Sequence, residues 1–452
     1  MMRSCLARLR DALCKPVDIA ALVYFRILFG AILLWEVGRY FSHDWIYRYW
    51  IEPSFHFTYY GFSWVRPWPG VGMYVHFALL GVAAACVMVG CFYRVSAVIA
   101  FLGFAYVFLL DQSQYLNHFY FVGLLGLIMM CIPAHRAFSV DVWRKPHLRA
   151  HGVPAWTLWL LRAQVGIVYF YGGLAKMNGD WLRGWPLRIW LTDSTDLLLI
   201  GRYITEEASV YFFSYGGLLF DLSIVPLLLY RKTRLLAFAL VLFFNITNAF
   251  LFQIGIFPWM MIAGSALYFD PSWPRRLFNL RPMAAVSMQS RHSRGVAAGL
   301  FVYMAFQLLF PLRHFLYPGP VGWTEEGHRF AWHMKLRDKE AEAEFFVTDT
   351  LQKKSWTVDL QEDLTERQSE KMSGRPDMIL QFAHYLAKKF RAEGHSTIQV
   401  RAEVYAALNG RKPQLLIDPT ANLADIPRNL APASWIVPLS APLPETPYVR
   451  SD

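Results

Sequence analysis

Cysteine is scarce in this chain of 452 residues: Cys5, Cys14, Cys86, Cys91 and Cys131 are the whole set, and none lies at metal-ligand spacing. That argues against a zinc or iron–sulfur framework and against structural disulfides in the C-terminal part. Walker loops, Rossmann glycine fingerprints, zinc-binding helix motifs and nucleophile elbows are also missing, which sets aside the commonest nucleotide, metal and acyl-transfer chemistries. Charge is thin, at 17% of residues against 55% hydrophobic. The acids are outnumbered, 33 Asp and Glu to 44 Lys and Arg, for a net charge of +11. That excess is scattered over loops between apolar segments and forms no patch, so nucleic acid is not an expected partner. Internal repeats and low-complexity tracts are absent. The basic lead-in "MMRSCLARLRDALCKPVD" runs into a first apolar segment without a short h-region and cleavage site, so no cleavable signal peptide is expected.

What the chain has in quantity is apolar length. Its mean hydropathy is +0.28, and aromatics make up 17% of it, with 17 Trp, a residue that collects where membrane meets water. A bilayer core of about 30 Å needs roughly 20 apolar residues per helix. About nine such segments are predicted, at 19–38, 72–92, 95–111, 119–133, 155–176, 209–230, 234–253, 257–270 and 296–316. Beyond residue 317 the text changes. Charged stretches, an amphipathic run "RPDMILQFAHYLAKKF" and alternating runs such as "TIQVRAEVYAAL" and "KSWTVDL" predict a soluble α+β domain. The expected fold is therefore an α-helical polytopic membrane protein, residues 1–317, carrying a β-rich exterior domain, residues 318–452. With the N-terminus inside, the inner segments hold Arg3, Arg8, Arg10, Lys15, Arg94, Arg136, Arg144, Lys145, Arg149, Arg231, Lys232, Arg234, Arg275, Arg276, Arg281, Arg291 and Arg294. The outer loops hold only Arg39, Arg48, Arg66, Arg183, Arg188 and Arg202, a positive-inside bias. An odd number of spans then puts the C-terminal domain outside. It also puts the loop after the third span on the same face as the end of the fifth.

Ionisable groups at membrane depth face a bundle interior or a cavity, so each is a functional candidate. They are Arg26, Glu36, Asp111, Arg162, Lys176 and Asp221. Arg26 and Arg162 lie on opposite-running helices, and either can form a structural ion pair with Asp221 or Glu36. Lys176 ends the run "VYFYGGLAKMNGDW" and can snorkel, stem in lipid and ammonium in water. His118 after Asn117 reads equally as a helix cap and interface pair. A sharper reading starts from Gly172 and Gly173, which permit close approach of a helix or a flat ligand. An amine partly withdrawn from water can serve as a base, and an imidazole and an amide on the same face can hydrogen-bond an oxyanion. Together they suit deprotonation of a lipid-soluble acid such as a quinol.

At these residues the chain resembles vitamin K-dependent gamma-glutamyl carboxylase, in a compact bacterial form with the HTTM membrane domain. "FRILFG", "GCFYRVS", "YVFLLDQSQYLNHFY", "LRAQVGIVYFYGGLAKMNGDW" and "LLFDLSIVPLLL" resemble the family's membrane segments in order, and "AALNGRKPQLLIDP" and "PASWIVPL" resemble its exterior domain. The resemblance implies a carbon–carbon lyase with quinol epoxidase activity. Reduced vitamin K, or a menaquinol, is deprotonated by a lysine and reacts with O2; the oxygenated species removes a γ-proton from a peptide glutamate, and CO2 adds. It places that lysine on Lys176 and the family's Asn-His pair on Asn117 and His118, with Tyr169, Tyr171, Gly172 and Gly173 lining the quinone cavity. No metal is implied. The partners implied are the lipid bilayer and a glutamate-containing exported peptide or protein.

Departures from the pattern are specific. The adjacent lysines of the animal enzymes are here Ala175-Lys176, a histidine of the seventh span is Asn245, and the cysteine of the first exterior loop has no counterpart in "IEPSFHFTYYGF". Around "FAWHMKLR" only the aromatic core matches, and Trp332 reads as packing. The animal enzymes continue well beyond residue 452, so a bacterial plasma membrane is the expected setting. Two other functions stay open: quinol oxygenation without carboxylation, and a non-enzymatic membrane transporter or scaffold. Transport is the weaker of these, since inverted repeats and paired broken helices are not visible.

Overall fold

In the computed structural model, residues 11–192, 203, 206–252, 254–281 and 294–445 are described. Of the residues used above, Cys5, Arg3, Arg8, Arg10, Arg202 and Arg291 lie outside them.

Long apolar runs close their backbone hydrogen bonds internally and so become helices. Among the described residues, seven are long and apolar enough to cross a membrane. These are α1 (Ala20–Ser42), α2 (Gly72–Val89), α3 (Tyr93–Leu110), α5 (Ala155–Lys176), α6 (Glu207–Leu229), α7 (Arg234–Phe252) and the span Gly295–Leu316 that begins in α9 (Arg294–Leu309). The two remaining predicted segments are shorter. Helix α4 (Asn117–Cys131) has 15 residues, about 22 Å at 1.5 Å per residue. Helix α8 (Phe257–Ser265) has 9 residues and ends in a 3-10 turn over Ala266–Tyr268. Their apolar sequence comes from burial against neighbouring helices: Phe121, Leu125 and Ile128 of α4 and Met260, Met261 and Ala263 of α8 belong to the bundle core.

The bundle has two unlike ends. At one, β1 (Pro16–Asp18) pairs antiparallel with β2 (Gly152–Pro154), and Arg275 donates to Asp18 at 2.7 and 2.9 Å. The other end carries the C-terminal domain, a four-stranded antiparallel sheet in the order β4 (Lys354–Thr357), β3 (Lys339–Asp349), β5 (Ile398–Leu408), β6 (Gln414–Leu415). β3 and β5 pair along their full lengths, from Lys339 opposite Leu408 to Asp349 opposite Ile398. Helix α10 (Glu366–Ser373) starts with a capping box on Thr365 and Gln368. Helix α11 (Pro376–Ala392) buries Met378, Ile379, Phe382, Ala383 and Leu386 in the same core as Val400, Ala402, Val404 and Ala406 of β5. The amphipathic and alternating runs of the sequence correspond to α11, β5 and β4. The sheet's other long strand, β3, was not named among them.

The structure corrects the expected ion pairs. Arg26, fully buried, donates to the carbonyls of Ala134, Ala137 and Phe138. Arg162 donates to those of Leu267 and Phe269. Glu36 pairs with Arg39 at 2.7 Å, which leaves Asp221 to a different partner.

Candidate functional site

Lys176 closes α5 where the chain turns into a short helix, Gly179–Leu182, whose first turn is capped by the Asn178 side chain accepting from Trp181 N. The lysine does not snorkel: it is 7% exposed. Its Nζ lies 2.5 Å from Asp221 Oδ2 on α6 and donates to the Gly172 carbonyl at 3.3 Å. The Trp181 ring stands 5.4 Å from the amine. That ring is fixed by Nε1 donating to Ser214 O, while Ser214 Oγ donates to Trp181 O. The contact is reached because α5 and α6 approach closely at two glycines. A Cβ on Gly173 would sit 2.7 Å from Leu222 Cδ2, and one on Gly172 would sit 3.2 Å from Asp221 Oδ2.

The pair lies on the wall of a cavity of about 410 Å³ bounded by α5, α6, α7 and the segment Met334–Lys335. Its surface is mostly apolar and aromatic, with Tyr169, Phe220, Phe244 and Trp181 among the lining, and Asn245 is a further polar group there. Asn245 Nδ2 donates to Val241 O at 2.9 Å, and the Tyr169 hydroxyl lies 3.1 Å from Ser265 Oγ. Phe212, Leu219 and Phe243 line the cavity and are also 69%, 63% and 68% exposed, so the opening between α6 and α7 faces the lipid side.

A second cavity of about 270 Å³ adjoins the first and shares Ile254, Phe257, Met334 and Lys335 with it. Its walls carry many more polar and charged side chains than the first cavity's, Asn117, His118, Glu325, His328, Arg329, His333, Arg337 and Arg375, set among Leu116, Phe257 and Leu336. Asn117 is not a helix cap, since Leu116 holds that position without a side-chain bond. Instead Asn117 Nδ2 donates to His333 O at 3.0 Å and its Oδ1 accepts from Tyr115 OH at 2.9 Å. His118 lies between Phe119 and Phe257, with ring centroids 4.8 and 6.2 Å away. Burial, then the nearby His314 and Arg337, holds the His333 imidazole down at about 3. Burial also holds His328 well below its ordinary value, with Arg337 adding to it. At neutral pH both rings are uncharged.

The structure thus brings Lys176 and Tyr169 to one cavity and Asn117 and His118 to its neighbour. It does not put Tyr171, Gly172 or Gly173 on either wall: the Tyr171 hydroxyl donates to Leu308 O, and the glycines face Met334, Asp221 and Leu222. Trp332 is fully buried, its ring 5.0 Å from that of Tyr120. Sequence reasoning did not assign Asp221 to Lys176, and it passed over Trp181, Lys335 and Arg375. Only the isolated acid in "LLFDLSIVP" carried a signal. Among the described residues no cluster of His, Cys, Asp or Glu could hold a metal ion.

Fold and site define a multi-pass membrane protein in which a lipid-facing apolar cavity meets an amine–carboxylate pair and then a polar chamber. The chain matches the model of the HTTM domain over residues 14–273, more than half its length, and that of the vitamin K-dependent gamma-carboxylase lumenal domain over residues 292–442. It belongs to the vitamin K-dependent gamma-glutamyl carboxylase family. No solved structure matches it.

Proposed function

We propose that this protein is a quinol-dependent gamma-glutamyl carboxylase in which Lys176 takes the quinol proton. The observation that carries the reading is the contact of Lys176 with Asp221 on the wall of a lipid-facing cavity. The fit to reduced vitamin K, or a menaquinol, is a matter of size and lining. About 410 Å³ lies within the range of small-molecule sites, and aromatic walls with a few polar groups suit a flat ring on an isoprenoid tail. Tyr169, Asn245, Trp181 and Phe244 would hold the ring, and the opening between α6 and α7 would admit the tail. When bound, the quinol supplies the driving chemistry, its oxidation by O2 to the epoxide being coupled to removal of the glutamate γ-proton and addition of CO2.

The chain's own residues manage protons and water. In this reading the 2.5 Å contact is an ammonium on a carboxylate, the protonated form of the pair. Release of one proton toward the polar chamber leaves an amine beside a carboxylate, and taking the quinol's proton restores the ion pair. Asp221 therefore keeps the amine in place in both states. Trp181 and Phe220 keep bulk water from it, which strengthens the polar contacts inside. The second chamber, with His118 and Asn117 on its wall, would receive the glutamate from the C-terminal-domain side. The scattering of Arg94, Arg136, Arg144, Arg231 and Arg275 away from that domain supports placing it outside a bacterial plasma membrane.

The test uses purified protein in detergent with reduced vitamin K, O2, bicarbonate and a Glu-containing peptide, with epoxide and γ-carboxyglutamate measured separately. Both products are expected from the wild type and neither from Lys176→Ala that still inserts in membranes. Epoxide alone would remove carboxylation from the reading. Epoxidation retained by Lys176→Ala would remove Lys176 from its role.

A further inference from the structure

The polar chamber holds more positive charge than its acids balance. Arg329 donates to Asp377 Oδ2 at 2.9 Å. Arg337 grips Glu325 through Nε at 2.6 Å and Nη2 at 2.7 Å, and its Nη1 lies 2.7 Å from His328 Nε2. Lys335 extends its ammonium to 5.1 Å from the centre of the Trp190 ring. Glu325, the acid on this wall, is further shared with Lys339, whose Nζ is 3.9 Å away.

Arg375 differs from these. It stands just before the first turn of α11, lines the chamber, and has as its side-chain polar contact the thioether of Met378, with Nη1 3.9 Å from Sδ. Sulfur of that kind is a weak acceptor. Burial, followed by repulsion from Arg329 and Arg337, pushes the guanidinium down to about 10, still cationic at neutral pH. A partly buried guanidinium whose side chain finds no oxygen acceptor among the described residues is left short of partners, and a planar carboxylate satisfies it through two parallel hydrogen bonds. The chamber offers room for such a group, and the neutral rings of His328 and His333 add hydrogen-bonding groups without adding charge to the wall.

We infer that Arg375 is the anchor of a carboxylate site in this chamber, gripping a planar oxyanion between the C-terminal domain and the start of α4. Its source is either the side chain of an acceptor glutamate or bicarbonate. The choice between those two rests on the function proposed above, while the existence of the site does not, because binding is measurable without quinol or turnover.

The experiment uses the full chain in detergent, without quinol. A fluorescent Glu-containing peptide and the same peptide with Gln are titrated by anisotropy against wild type, Arg375→Gln and Arg375→Lys. In parallel, the wild type is treated with phenylglyoxal, with and without the Glu peptide or sodium bicarbonate, and modification at Arg375 is located by mass spectrometry. Loss of one charge-assisted bidentate contact is expected to weaken Glu-peptide binding by about tenfold or more in Arg375→Gln, with part restored by Arg375→Lys. Protection of Arg375 by the peptide assigns the site to the acceptor, and protection by bicarbonate alone assigns it to the inorganic anion. Equal binding by wild type and Arg375→Gln, or labelling of Arg375 that neither compound slows, overturns the inference. If Arg375→Gln fails to fold, the labelling of the wild type decides alone. Intact binding in a protein that makes no epoxide would sink the proposed function and leave this site standing.

Discussion

Lys176 and Asp221 are separated by 45 positions, and nothing local in either stretch says that they meet. The sequence picks out six ionisable groups at membrane depth, and the structure sorts them by the partner each finds. Arg26 and Arg162 are satisfied by backbone carbonyls at the ends of neighbouring segments, a use of charge that helix-by-helix reading cannot see. Glu36 finds Arg39 one turn away, which spacing alone could have suggested. Lys176 and Asp221 find each other, as an ion pair on the cavity wall. If that pair handles the quinol proton, Asp221→Asn keeps the shape and a hydrogen-bond partner but loses the charge that holds the ammonium. Quinol epoxidation is then expected to fall by about a hundredfold, within the usual span for a proton-transfer group. Asp221→Glu should recover part of it. Epoxide formation by Asp221→Asn at the wild-type rate would make the contact a structural one.

At the scale of elements, apolar length was legible and depth was not. The seven long spans stand close to their expected places because about 20 apolar residues have one common solution in lipid. Helices α4 and α8 carry the same apolar composition for another reason, burial inside the bundle, and hydropathy does not distinguish the two. Strand β3 escaped notice because Glu340, Glu342 and Glu344 alternate with alanines, a weak apolar face that becomes a strand by pairing with β5. The glycine pair on α5 was legible as a place of close approach, and the neighbour turns out to be α6. Gly173→Ala would put a methyl 2.8 Å from Leu222 Cγ and 3.2 Å from Asp221 Cβ. Overpacking of this sort costs about 1–3 kcal/mol. A lower unfolding temperature in detergent is expected, together with reduced epoxidation as α6 moves Asp221 away. Gly179→Ala, which meets nothing within 4 Å, is the control and should leave both unchanged. Equal stability of the two variants would show that the α5–α6 spacing tolerates a side chain.

The whole molecule depends on how the C-terminal domain sits on the bundle, and polar contacts do much of that joining. Arg411 grips Asp180 with both terminal nitrogens at 2.7 Å, Arg367 donates to Gln114 at 3.0 Å, and Gln368 donates to the buried carboxylate of Asp111 at 2.9 Å. Residues 328–337 lie between the two parts, and their histidines make the seat sensitive to acid. An unfolded imidazole takes its proton near pH 6.5, whereas His333 in the folded chain resists protonation down to about 3. Between those values the unfolded state binds more protons, so stability falls as pH falls through the window, by at most about 1.4 kcal/mol per pH unit for one such group. His328 shifts in the same direction. Lys339, held down to about 7 chiefly by burial, extends the same slope between pH 7 and its unfolded value. Thermal unfolding of the full chain should therefore rise in midpoint from pH 4 toward pH 9. His333→Phe should flatten the acid limb and leave the alkaline limb intact, and Lys339→Met should do the reverse. An acid limb of unchanged steepness in His333→Phe would mean that this ring is already solvated where the two parts meet, and that the joint opens before the imidazole titrates.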